Sequence, residues 1–134
     1  MKLHENNMLI FSHFAAGWLF DFSFDWRLKG TLYINDAIAM AIEEGESFFE
    51  RSFTKDILPA IAKRRGITWR AAERSMRYAI ESAWRRGFPE VLHMYFPEEN
   101  SKTGRPSVSK FVKDIGIAAH LDYNEKNGAT SLQI

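Results

Sequence analysis

At 134 residues, 46% hydrophobic and 14% aromatic, the chain suits one domain with a real core and leaves little room for a second. It has no cysteine, which excludes a disulfide framework and any thiolate metal site and is compatible with a reducing cytoplasm. The net charge of +1 is unevenly spread: Lys55 to Arg86 holds nine basic residues against three acids, so that block carries +6 and the remainder −5.

The stretch from Met8 to Phe24 is apolar and aromatic. It contains His13 and Asp21, has no basic lead-in beyond Lys2 and no small-residue cleavage pattern, and is short for a membrane span. It therefore reads as a packing segment, with no membrane role expected. Residues 1–26 form an aromatic N-terminal extension or a divergent first helix. The helical pattern runs to about Leu19; after it Phe20, Phe22, Phe24 and Trp26 alternate with polar residues, as in a strand or extended segment. Gly30 to Glu44 predicts a helix, with Leu32, Ile34, Ala37, Ile38, Ala41 and Ile42 approximating one stripe.

Thr54 is the expected cap of the next helix, whose buried side is Ile57, Leu58, Ile61 and Ala62. Pro59 falls later than the usual first-turn place, which points to a bent or late start. Arg64 and Arg65 sit at the C-terminal end, and Gly66 stops the helix. Thr68 caps a longer helix to about Arg86, stopped by Gly87. Pro89 opens a short helix through Tyr95, and residues 97–106 read as a loop. A last helix from about Ser107 to Leu121 turns Val108, Phe111, Val112, Ile115 and Ala119 inward, and 122–134 reads as a frayed tail. With four prolines and eight glycines spread along the chain, the fold class is all-α.

A basic block within an acidic shell suits a polyanion-facing surface, or else a solvated helix face. Within it, a short helix, a tight turn and a longer helix follow one another. Ala62 and Gly66 supply the small residue and the turn glycine that a helix-turn-helix favours. On the longer helix Ala72, Met76, Ala79, Ile80, Ala83 and Trp84 share one face. Arg70, Arg74, Tyr78, Glu81 and Arg85 share the other, flanked by Glu73 and Arg77. A recognition helix meets base edges with its N-terminal half. An arginine fork can donate twice to guanine O6 and N7, and Glu73 can accept from a cytosine amino group. Arg70, Glu73, Arg74, Arg77 and Tyr78 are thus the candidate base readers, and Lys55, Lys63, Arg64 and Thr68 the candidate backbone contacts. The competing reading makes the same charges surface ion pairs, worth about 0–1 kcal/mol each.

Longer strings are also recognisable: Lys29-Gly30-Thr31-Leu32-Tyr33-Ile34 with Asp36-Ala37-Ile38, Phe53-Thr54-Lys55, Pro59 with Ile61-Ala62-Lys63, and above all Glu73-Arg74-Ser75-Met76-Arg77-Tyr78-Ala79-Ile80-Glu81 with Ala83-Trp84 and Arg86-Gly87. Arg105-Pro106 with Ser109 and Phe111 continues the order. Over about Arg27 to Leu121 the chain resembles the C-terminal DNA-binding effector domain of the sporulation initiation (stage zero, protein A) response regulators. The resemblance implies about six helices around a helix-turn-helix, in a winged-helix-like or response-regulator-effector-like domain spanning 27–121. It also implies binding to double-stranded DNA as a transcription regulator, homodimers on tandem sites, and contact with an RNA polymerase sigma factor. It places Glu73 and Arg74 at the family's base-reading pair and Arg77 at a basic position. The family's basic position two residues before Glu73 is Ala71 here, with Arg70 adjacent, and its histidine after Arg77 is Tyr78. It further implies phosphate contact from the loop holding Lys102 and Arg105, and a sigma-factor contact on the segment from Phe88 to Phe96.

The family protein also carries a phosphoacceptor receiver domain, and residues 1–26 hold no five-stranded α/β unit. Phosphorylation-gated dimerisation is therefore not expected. The alternative is a receiver-less partner or antagonist that pairs with a full-length regulator without reading DNA. His4, His13, His93 and His120 are scattered, without a His-Glu-x-x-His pair or a glycine-rich phosphate loop, and Ser52, Ser75 and Ser82 lack a nucleophile-elbow context. No catalysis, metal or cofactor is expected.

Overall fold

The structure, a computed structural model, describes the backbone of residues 2–97 and 104–132 and the side chains of 7–97 and 104–128. Among the described residues there are seven α-helices, one π-helical turn and no strand. The helices are α1 (Lys2–Asp21), α2 (Lys29–Glu44), α3 (Glu46–Glu50), α4 (Leu58–Arg65), α5 (Trp69–Arg86), α6 (Pro89–Tyr95) and α7 (Val108–Leu132); the π-helical turn, Phe53–Ile57, leads into α4.

The central element is α2. It is buried along most of its length, Thr31, Asn35 and Asp36 included, and it packs against α1, α5 and α7. Ile34, Ala37, Ile38, Ala41 and Ile42 are buried as the stripe predicts, together with Tyr33 and Ala39; Leu32, assigned to the same stripe, is 40% exposed. The approach of α2 to α5 is closest at Gly30. A Cβ there would lie 1.9 Å from the carbonyl oxygen of Ser75, so only glycine fits the crossing.

The aromatic alternation after Leu19 does not mark a strand. Helix α1 continues to Asp21 and the chain then turns, with Ser23 in the left-handed region at φ 65°. The turn drives Phe22 and Phe24 inward and leaves Phe20 outside. Phe22 lies parallel to Trp84 at 6.3 Å and edge-on to Phe111 at 5.4 Å, and Phe24 packs on Phe111 at 5.2 Å. Alternate residues are buried because successive turn residues face a ring cluster, not because the backbone pairs.

The same turn carries Asp25, which accepts hydrogen bonds from the backbone amide, Nε and Nη2 of Arg27 and also pairs with Arg86 at 3.1 Å. Those donors hold its carboxyl down at about 2, the Arg27 side chain being the largest cause. Helix α7, expected to end near Leu121, runs to Leu132. It is retained by α1: Tyr123 meets Phe11 and Phe14 edge-on at 5.3 and 5.2 Å, and Trp18 Nε1 donates to Asp122 at 3.1 Å.

Two outcomes follow. Gly30→Ala should lower stability by about 1–3 kcal/mol in urea denaturation, because the added methyl forces two backbones apart; a loss under about 0.5 kcal/mol would contradict the crossing. The Asp25 carboxyl should titrate near 2 by NMR in the folded chain. Its contribution to stability is present above the ordinary value of 3.8 and is lost as pH falls through about 2. Asp25→Asn should flatten that acid limb.

Candidate nucleic-acid interface

The helix-turn-helix is built by caps. Ser52, not Thr54, starts its first helix: Ser52 Oγ accepts from the Lys55 amide at 3.1 Å, and Asp56 Oδ2 accepts from the Ser52 amide at 3.0 Å. Thr54 stands exposed, one residue inside the π-helical turn. Pro59 has no amide to donate and its ring crowds the carbonyl four residues back, so the chain enters α4 through a wider turn. Helix α4 ends with Gly66 at φ 69°, ψ 35°. The Ile67 amide returns to Ala62 O at 3.0 Å and the Gly66 amide to Lys63 O at 3.2 Å. A Cβ at Gly66 would meet nothing within 4 Å, so the backbone angle, not packing, requires glycine here. Thr68 Oγ1 then accepts from the Ala71 amide at 3.1 Å and starts α5 as predicted.

One basic residue of the block is tied to the central helix. Arg65, the last residue of α4, forms a fork on Asp36 of α2, Nε to Oδ2 at 2.7 Å and Nη2 to Oδ1 at 2.8 Å. The Asp36 side chain is only 4% exposed. Its hydrogen bonds raise the Arg65 pKa above the ordinary arginine value, and the guanidinium lies 5.9 Å over the Tyr33 ring. The pair joins residues 29 apart and pins the tight turn to the central helix. No motif or period announces it, and sequence reasoning missed it.

With α4 fixed, α5 buries Ala72, Met76, Ala79, Ile80 and Ala83, and Trp84 is half-buried on the aromatic cluster. Arg70, Arg74, Arg77 and Tyr78 are exposed on the far side, Tyr78 at 53%. Arg74 has no ion pair or hydrogen bond through its side chain among the described residues. Glu73 is partly buried and paired with Arg77 at 2.7 Å. The Arg70 guanidinium lies 5.1 Å over the ring of Trp69, itself 45% exposed. Trp69 was not among the candidates, although a tryptophan directly after a cap is a readable signal of a surface anchor. Lys55, in the π-helical turn, and Lys63 and Arg64, in the last turn of α4, are exposed. The aromatic leader does not cover these residues: α1 packs on α2 and α7.

Beyond α5 the candidates separate. Arg105 is exposed but held by Glu81 at 3.0 Å, and Lys102 lies outside the described residues. Phe88 is 64% exposed, whereas Phe96 is 1% exposed. The expectation that Phe96 meets a sigma factor is therefore corrected. Its ring stacks on Phe111 at 5.7 Å and meets Trp84 edge-on at 5.5 Å, so it closes the core behind α6. No group of residues that could hold a metal ion occurs among the described residues, and no described helix is long and apolar enough to cross a membrane.

Comparison with known families gives a match over residues 17–120 to the family described as sporulation initiation factor Spo0A C terminal. That domain is a DNA-binding effector, not an enzyme.

Arg65→Ala leaves the Asp36 carboxylate buried without its partner and should lower stability by about 1–3 kcal/mol, read by urea denaturation. The double change with Asp36→Asn should recover part of that loss. Equal losses in the single and double variants would contradict the pairing.

Proposed function

On the premise that the chain belongs to the family of Spo0A C-terminal domains, we propose that it is a sequence-specific transcription regulator that reads double-stranded DNA with α5 in the major groove. The observation that carries this reading is Arg74, an exposed guanidinium with no partner among the described residues, in the second turn of a capped helix. Entering the groove, it meets guanine O6 and N7, a planar pair of acceptors matched to its fork. Arg70 and Tyr78 stand one turn to either side on the same strip. Glu73 enters already balanced by Arg77, which removes the penalty an unpaired carboxylate would meet among phosphates. On contact Glu73 accepts from a cytosine amino group, and Arg77 bridges Glu73 and the duplex.

The surrounding cations set register. Lys55, Lys63 and Arg64 meet phosphates, and the Thr68 hydroxyl, whose oxygen already accepts from Ala71, donates its proton to another. Lys102 and Arg105 approach the backbone from the loop before α7, with Arg105 exchanging Glu81 for phosphate. Dimers assemble on tandem sites. Contact with an RNA polymerase sigma factor falls on the exposed Phe88. A partner that only paired with another regulator would have no use for an exposed Arg74 that no described residue pairs, and this favours DNA reading.

Site selection from random duplexes by the purified chain, at stated salt, gives the box. Arg74→Ala should then weaken specific binding by about 1–3 kcal/mol, roughly fivefold to 150-fold, and relax selection at one position. Lys55→Ala should weaken all sequences alike and lower the salt slope by about one. Unchanged gel-shift affinity in Arg74→Ala would overturn the reading.

A further inference from the structure

Helix α1 carries two apolar faces, and the fold uses one. Phe11, Ala15 and Leu19 turn inward. Leu9, Ile10 and Phe20 turn outward, with Leu9 68% and Phe20 73% exposed. A helix apolar on both sides is one that is covered on both sides. Beside the outward face lies a groove of about 830 Å³ between α1 and α7. Trp18 and Tyr95, edge-on at 5.5 Å, form one wall, and Leu121 lines the other side. Gly17 and Ala118 leave its floor low: a Cβ at Gly17 would meet nothing within 4 Å.

The rim is acidic. Asp21, Asp122 and Glu125 line the groove against a single lysine, Lys126, which is tied to Asp122 at 3.1 Å and lies 5.4 Å over Phe14. Asp21 and Glu125 have no ion pair among the described residues. Asp21 also stands in the last turn of α1, which has no basic residue to balance the carbonyl end of the helix. An open hole at Gly17, aromatic walls and unbalanced carboxylates together suit a long cationic side chain, its stem on the rings and its head at Asp21 or Glu125.

We propose that this groove docks a lysine- or arginine-bearing amphipathic helix of a partner protein. A second copy of the chain is disfavoured, because α1 against α1 would bring the same carboxylates together. No lining residue belongs to α4 or α5, so docking leaves the candidate DNA face free.

The test uses the full chain and two labelled helical peptides of equal length and apolar spacing, one of leucine and lysine and one of leucine and glutamate. Fluorescence anisotropy should show saturable binding of the lysine peptide only, weakening with salt. Asp21→Asn with Glu125→Gln should weaken it about tenfold. Gly17→Leu should fill the hole and abolish it, with circular dichroism and duplex affinity unchanged. Absence of lysine-peptide binding, equal binding of the two peptides, or indifference to these variants would overturn the proposal. So would a concentration-dependent dimer of the chain that Gly17→Leu dissociates.

Discussion

The contact on which the rest depends is the crossing of α2 and α5 at Gly30 and Ser75. Backbone lies against backbone there, with no room for a side chain. A long helix carrying five arginines has little reason to sit on a small domain. It does so because its other face, Ala72, Met76, Ala79, Ile80 and Ala83, is small enough to reach α2 closely. Close approach maximises dispersion contact and excludes water. It also fixes the rotation of α5, and rotation decides which side chains point away from the domain.

The Asp36–Arg65 pair extends that constraint to the turn. An ion pair with a buried carboxylate contributes little net stability, because that charge has lost its water. Its value here is geometric. It joins the end of α4 to the middle of α2, so the turn at Gly66 and the cap at Thr68 inherit their position from the core. The first turn of α5 is thereby held from two sides, and Arg70 and Arg74 begin from a set place. Groups that meet a duplex in fixed geometry lose less freedom on binding.

Much of this was legible in the sequence for local reasons. Gly66 and Thr68 mark helix ends through their own backbone and hydroxyl chemistry, and the period of α5 separates its two faces without help from other elements. The features that escaped are those decided by distant neighbours. Arg65 looks like one more cation of the basic block until Asp36 is found beside it. Gly30 reads as a helix start until Ser75 closes over it. Phe96 aligns with a partner-contact position but is sealed by Phe111 and Trp84. Phe20 to Trp26 alternates as a strand would, yet there is no neighbouring strand to pair with among the described residues. Thr54 reads as the cap from its residue type and place alone, and the cap falls instead on Ser52, two residues earlier.

The central claim is that Arg74 reads a base edge. Methylation interference tests it at the atom concerned. Methylating guanine N7 across the selected site should block the wild-type chain at a particular guanine, and the penalty at that guanine should vanish in Arg74→Ala while penalties elsewhere persist. An identical interference pattern for the two proteins would mean that Arg74 reads no guanine there.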